Sequence, residues 1–280
     1  MAFVIRPARA EDIPLIAGWT QDTFSWGDYV PEQLPAWLED PQSLVVVCVF
    51  EDDVPLAVSR AQLLTPSEAW LSGARVNPDH RRSGMGSAMN DYGVDWARSR
   101  GALVARLATE EDNEAARSQV LKSGYRLTGR WIYATADAPS GPRMAPGQRL
   151  RAGASIDADA AWMFWSQSEL AQAAHDLISD GWRWRKATRD DLESAVSGHA
   201  FYQGPGGWAI AKRSDPGLAV RWMATIAPDA PMMLQGIRYL LSDQGLGTVE
   251  AWIPATPWIW EALQREGFES RPVVIYSKSL

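Results

Sequence analysis

The run Val76-Asn77-Pro78-Asp79-His80-Arg81-Arg82-Ser83-Gly84-Met85-Gly86-Ser87-Ala88 carries residue types and spacing suited to holding an anion. Its core is Arg-x-x-Gly-x-Gly. Two glycines and a serine would place several bare N–H groups at a helix start, where orphan donors and the positive end of the helix dipole favour negative charge. Gly84 and Gly86 lack a Cβ, so a phosphate can approach the main chain, and Arg81 and Arg82 can add charge-assisted contacts. The ligand that fits is a pyrophosphate. Met89 stands where the dinucleotide fingerprint needs its third glycine, and the chain has no Gly-Lys-Ser/Thr triplet for a P-loop.

The elements that must position this loop are readable around it. Ala69 to Val76 has a strand pattern and Met85 to Arg98 a helix pattern. Leu103 to Thr109 is largely apolar, as in a central strand. Asn113 can cap a following helix, and Gly124 suits the left-handed position that stops one. Tyr125 to Thr135 is aromatic and β-branched, a further strand. At the front, Val4 to Ile13 reads as a strand and a helix start.

These motifs, in this order, resemble the GNAT N-acetyltransferase superfamily. The resemblance lies in the Arg-x-x-Gly-x-Gly loop after Val-x-Pro and in the Asn-x-x-Ala…Lys-x-Gly-Tyr element from Asn113 to Tyr125, and it covers residues 3 to about 135. It implies an α/β (α+β) GNAT fold, a mixed, mostly antiparallel sheet flanked by helices. It also implies acetyl-CoA as co-substrate, held by Val76, Arg81, Arg82, Gly84, Met85, Gly86, Ser87 and Asn113. Asn113 would bond the pantetheine arm, and a backbone N–H near Val76 would polarise the thioester. No metal is expected: three histidines and one cysteine show no ligand spacing.

The catalytic positions depart from the family pattern. The strand sites that often carry a base hold Trp70 and Ser72, and the position of the usual acidic tyrosine holds Val120. Glu68 shares a face with them by strand period, as a base acting through water or simply as a solvated strand end. Tyr29, Tyr125 and Tyr133 are the tyrosines to weigh, as acids or as core residues. The acceptor side is expected in Ser25-Trp26-Gly27-Asp28-Tyr29-Val30-Pro31 and the Trp37-Leu38 that follows. Asp-Tyr-Val-Pro followed by Trp-Leu resembles, more weakly, histidine N-acetyltransferases. The same residues also read as an amphipathic helix start with Pro31 in its first turn. The catalytic and acceptor-binding candidates are therefore Glu68, Tyr29 and Asp28.

Composition narrows the class. The chain has 280 residues, 46% hydrophobic and 22% charged, with a net charge of −7, which disfavours nucleic acid as a partner. The longest apolar run, Leu44 to Phe50, is far short of a membrane span. Met1 to Ile16 lacks a signal-peptide core, and the lone Cys48 cannot form an internal disulfide, so a cytoplasmic location is expected.

The segment from Asp137 to Gly147 is a linker by composition, after which the chain restarts. Trp184 to Leu192 echoes Ile5 to Ile13, Trp258 to Phe268 echoes the Asn113 helix, and Val273 to Tyr276 echoes Trp131 to Tyr133. The expected division is a catalytic domain over 1–136, a linker over 137–154 and a degenerate copy over 155–280. Between Ile226 and Gly236 that copy has no arginine pair and no Gly-x-Gly, and it reads as about one strand shorter. Before it, Ser166-Gln167-Ser168-Glu169 reads as a capping-box start of a helix running to about Ser179 and stopped by Gly181. Nine of the fifteen tryptophans fall at or after position 162, suited to core filling or to stacking a ligand.

The expectation is an acetyl-CoA-dependent N-acetyltransferase acting on a small primary amine, such as an amino acid, as a monomer or homodimer. Alternatives are a peptide or protein α-amine acetyltransferase, an antibiotic-modifying relative, or a non-catalytic acyl-CoA sensor.

Overall fold

A computed structural model describes residues 3–21, 23, 27–140, 145–214 and 217–280. Ser25 and Trp26 of the expected acceptor loop and residues 141–144 of the expected linker lie outside them. The chain forms two compact units that are not contiguous in sequence. One comprises Met1–Leu107, Glu114–Arg126 and Tyr276–Leu280; the other comprises Ala108–Asn113 and Leu127–Ile275.

The first half runs β1 (Val4–Pro7), α1 (Asp12–Thr20), α2 (Val30–Glu39), β2 (Ser43–Val49), β3 (Pro55–Thr65), β4 (Glu68–Val76), α3 (Met85–Ser99), β5 (Val104–Glu110), α4 (Glu114–Lys122) and β6 (Arg126–Asp137). Strands β1 to β4 pair antiparallel in order, and β4 then pairs parallel with β5. The apolar run in β2 is buried on both faces. Val45, Val47 and Val49 meet Ile16 of α1 and Leu34 and Trp37 of α2, while Val46 and Cys48 meet Met85 and Met89 of α3. That placement explains why the run shows no polar alternation. Burial pushes the Cys48 thiol up to about 11.

The second half runs β7 (Arg151–Ala152), α5 (Ser155–Trp165), α6 (Glu169–Ala174), β8 (Leu177–Ser179), β9 (Trp184–Lys186), α7 (Arg189–Ser197), β10 (Phe201–Gly204), β11 (Gly207–Ser214), β12 (Gly217–Ala224), α8 (Ala230–Gln244), β13 (Thr248–Pro254), α9 (Pro257–Arg265) and β14 (Glu269–Ser279). Strands β10, β11 and β12 pair antiparallel, β12 pairs parallel with β13, and β13 pairs antiparallel with β6. In chain order β9 to β14 follow the succession of β1 to β6, which corrects the expectation that the copy is a strand short in number. The pairing differs, since β9 pairs with β8 in a separate two-stranded sheet and β7 takes the place beside β10 that β1 takes beside β2; among the described residues the copy has no counterpart of α2. Four of the nine late tryptophans, Trp165, Trp184, Trp222 and Trp252, are buried core, while Trp182 is exposed and the rest are half-buried.

One local device proves the repeat. The Arg6 guanidinium donates to both carboxylate oxygens of Asp12 at 2.8 and 2.9 Å, and the Arg9 amide donates to Asp12 at 2.8 Å. Arg185 likewise grips both oxygens of Asp191, and the Thr188 amide donates to it at 2.8 Å. Burial acts to raise both carboxyls, but these hydrogen bonds outweigh it and hold them below the usual range. In each half the pair ties the first strand to the first turn of the next helix.

The helix expected to reach Ser179 ends at Ala174, because His175 and Asp176 take left-handed conformations and the chain turns into β8. Its cap is Ser168, which accepts from the Ala171 amide at 3.1 Å. Alanine at that third position leaves no side chain to complete a capping box.

Each unit also takes chain from the other half of the sequence. In the first unit the Leu280 amide donates to the Leu103 carbonyl at 3.0 Å, the Arg117 Nε donates to the Tyr276 hydroxyl at 3.2 Å, and the Lys278 ammonium stands 5.7 Å from the centre of the Tyr125 ring. Tyr276 is buried. Deleting residues 276–280 should therefore destabilise the first unit by about 3 kcal/mol or more, the scale of losing a large buried side chain. Urea denaturation of the truncated chain checks this; an unchanged midpoint would contradict the assignment of the tail to that unit.

Candidate active site

The candidate site is built on the far end of β4. Strand β4 pairs with β5 only over Glu68–Trp70 with Val104–Arg106, so β5 leaves its edge from Leu71 to Val76. On its other side β4 carries one extra residue against β3, since Ser72 faces Arg60 and Arg75 faces Val58. Gly73 lies in this bulge with φ +65°, and a Cβ there would come within 2.7 Å of the Trp37 ring. Only glycine satisfies both the backbone and the indole. The bulge re-aims the last residues of β4, which lead directly into the loop Asn77–Gly84.

Asn77 caps a short 3-10 turn at Pro78–His80, accepting from the Asp79 amide at 3.0 Å. Arg82 then takes φ +64° and Gly84 φ +84°, and α3 begins. The first bond into the helix runs from the Ala88 amide to the Gly84 carbonyl, 3.0 Å. The amides of Gly84 to Ser87 thus precede the ladder as orphan donors. Apart from its chain neighbours, no atom lies within 4 Å of where a Gly84 Cβ would point, so the side of Gly84 that a side chain would fill is open. Gly86 serves differently: a Cβ there would meet the Gln119 amide nitrogen at 2.8 Å, so this glycine lets α4 pack on α3. Met85 is buried in the core and offers the loop only its main chain. Arg81 and Arg82 are exposed, and among the described residues neither has an ion-pair partner. A pyrophosphate fits this arrangement. Asn113 lies immediately before α4, its amide donating to the Glu110 carbonyl at 3.2 Å.

The catalytic candidates separate by geometry. Glu68 is neither solvated nor near the loop. It is buried at the start of β4, roughly 26 Å along the strand from Val76 at 3.3 Å per residue, and its Oε2 lies 3.0 Å from an Arg106 nitrogen. Trp70 is also buried. Asp28 belongs to the site but is fully engaged. Arg75 donates to it through Nε at 2.6 Å and through a terminal nitrogen at 3.1 Å, and the Val30 amide donates at 3.0 Å. Asp28 therefore anchors the start of α2 to the bulged strand. Tyr29 is the exposed member of the group. Its ring sits edge-on to Trp37 at 6.1 Å, 5.3 Å from the Arg75 guanidinium carbon. Pro31 and Trp37 do what a helix start requires, in the first turn and buried against the sheet. Tyr125 is buried and donates to Asn90 at 3.1 Å; Tyr133 donates to Glu250 at 2.8 Å; burial pushes both phenols above their usual range. Sequence reasoning missed Arg75, the partner that occupies Asp28; its place on the strand before Val76 was the available signal.

The second half treats its equivalent helix start differently. Ile226-Ala227-Pro228-Asp229 stands in the place of Val76-Asn77-Pro78-Asp79. The arginine and glycine residues are missing, and α8 starts at once with Pro231 in its first turn. A Cβ on Gly206, in the β10–β11 turn, would lie 2.9 Å from the Asp229 carbonyl and from Met233. This helix start is packed by the chain itself.

The Asp28–Arg75 pair yields a prediction. Asp28→Ala would strand a largely buried guanidinium, and breaking such a pair costs about 3–5 kcal/mol. Chemical denaturation should show a loss near the lower figure, since the Arg75 side chain keeps 13% exposure. A loss below about 1 kcal/mol, the range of an exposed pair, would show that the anchor is not as built here.

Comparison with known proteins agrees with this geometry. The sequence profile of the acetyltransferase (GNAT) family matches residues 14–125. A GCN5-related N-acetyltransferase from Sphaerobacter thermophilus shares the fold over 99% of this chain and 95% of its own, with TM-score 0.69 and 15% identity. A tandem GNAT protein from the clavulanic acid biosynthesis pathway, in a form without AcCoA, superposes over 99% of this chain and 98% of its own, with TM-score 0.61 and 12% identity. The rice (Oryza sativa subsp. japonica) protein named acetyl transferase GW6a is 41% identical over 66 residues, 24% of this chain; the match spans only 14% of that relative's length. The described residues contain no helix long and apolar enough to cross a membrane. Residues 14–125 thus belong to the acetyltransferase (GNAT) family, in a chain whose two halves together have the fold of tandem GNAT proteins.

Proposed function

We propose that the protein is an acetyl-CoA-dependent N-acetyltransferase whose first half alone holds the co-substrate and whose acceptor is the α-amine of a small molecule such as an amino acid. One observation carries this reading: α3 starts with four amides ahead of its first helical bond and an unfilled side at Gly84, next to two exposed arginines with no ion-pair partner among the described residues. The amides of Gly84 to Ser87 and the guanidinium groups of Arg81 and Arg82 suit a pyrophosphate. The family match and the AcCoA named with the tandem relative support acetyl-CoA as its source.

The bound co-substrate supplies an activated acetyl thioester. An amide on the edge of β4 that β5 leaves, at or beside Val76, would polarise its carbonyl. Tyr29, exposed and under Arg75, is the hydroxyl suited to returning a proton to the leaving thiolate. Removing a proton from the amine is harder to assign, because Asp28 and Glu68 are both engaged by arginines. An acceptor that loses its proton easily is therefore favoured. At pH 7.5 a lysine-type amine of pKa about 10.4 needs about 4 kcal/mol to deprotonate, whereas an α-amine near 7.7–8.0 needs well under 1. The same engaged carboxylates also favour a second reading, a non-catalytic acyl-CoA sensor. Thiol release with an amine panel decides between them, since turnover rules out the sensor.

Two outcomes are expected. Arg82→Ala should weaken CoA binding by about 1.5–3 kcal/mol, the worth of a charged hydrogen bond, with calorimetry giving one site per chain before and after; an unchanged affinity would remove Arg82 from the site. With paired α- and ε-blocked lysine derivatives, the free α-amine should react faster, at a rate rising through its own pKa. Preference for the ε-amine would contradict the acceptor assignment.

A further inference from the structure

The second half has closed its phosphate position, yet it keeps a cavity of about 350 Å³. Strand β12 pairs parallel with β13 over only Leu218–Val220 with Val249–Ala251 and then diverges, as β4 does from β5. The cavity lies beyond that divergence. Thr225 and Ile226, at the end of β12, form one wall, Trp258 of α9 another, and Met163 and Phe164 of α5 a third. By the internal repeat this is the counterpart of the gap between β4 and β5 in the first half, because α9 answers to α4 and Ile226 to Val76.

The walls have changed chemistry with the loop. No arginine or lysine lines the cavity, and a pyrophosphate has no place at the packed start of α8. Two aromatic rings, a thioether and an isoleucine make it mainly apolar, and its volume lies near the small end of ligand sites. The charged group at its edge is Glu169, whose Oε2 accepts from the Trp258 indole N–H at 2.9 Å. That bond orients the exposed carboxylate beside Trp258, and among the described residues no arginine, lysine or histidine is within ion-pair distance of it. A carboxylate beside a lining rich in apolar and aromatic side chains is complementary to a flat or branched apolar body with one cationic nitrogen, which can meet both the carboxylate and an aromatic face.

We propose that this cavity is a ligand site of the second half that binds a small aromatic or branched apolar amine in its protonated form. The test uses the full-length protein and N,N-dimethylphenethylamine, a tertiary amine that cannot be converted to an amide, against 3-phenylpropionate, which has a similar apolar body and the opposite charge. Calorimetry should show saturable binding of the amine, one per chain, and none of the carboxylate. Phe164→Arg, at a side chain already 37% exposed, should abolish amine binding while leaving the thermal midpoint unchanged. Glu169→Gln keeps an acceptor for the indole and should weaken amine binding by about two- to fivefold, the size of an exposed ion pair. Absence of saturable amine binding, equal binding of the carboxylate, or amine binding that survives Phe164→Arg or is unaltered in Glu169→Gln would overturn the proposal. None of these outcomes depends on whether the first half transfers acetyl groups.

Discussion

An unpaired amide at a helix start holds an anion only where the chain leaves the space before it empty, and the two halves of this protein differ most at that point. In the first half, Arg82 and Gly84 adopt left-handed conformations that turn the chain away, and apart from its chain neighbours nothing lies within 4 Å of the open side of Gly84. In the second, the chain passes from Pro228 into α8 without a loop, and the Gly206 turn closes over Asp229 and Met233. The scaffolds around these two starts are alike down to a bidentate arginine–aspartate clasp in each. Five residues of loop, His80 to Gly84, with two arginines among them, separate the proposed anion site from a packed corner.

The rest of the first-half site is arranged by contacts to one bulged strand. Gly73 makes room for Trp37, and Arg75 locks Asp28. Tyr29 is thereby held between Trp37 and a guanidinium while its edge stays in solvent. The ion pair removes Asp28 from proton transfer and uses it to fix where α2 begins. Because α2 has no counterpart in the second half among the described residues, that half also lacks the wall that carries Asp28 and Tyr29.

Much of this was legible in the sequence where a local rule governs. The loop, its strand and its helix follow from glycine conformation and apolar period, and the repeat follows from Arg185 and Asp191 falling where Arg6 and Asp12 fall. Contacts between residues far apart in the chain were not legible. Glu68 reads as a strand end open to water until Arg106, thirty-eight positions later, comes beside it in β5. The return of Tyr276 to Leu280 to the first unit depends on which strand edges are free in the fold, which no window of sequence records. The early end of α6 lies between these cases: His175 and Asp176 can take left-handed conformations, but the pairing of Leu177–Ser179 with Trp184–Lys186 selects them.

The central claim is that one helix start is open to an anion and its twin is closed. Amide hydrogen exchange with and without CoA tests it most directly, because it reads the main chain at both places in one experiment. The account predicts slower exchange over Arg81 to Ala88 on adding CoA and unchanged exchange over Asp229 to Gly236. Protection of both segments, or of the second alone, would contradict it.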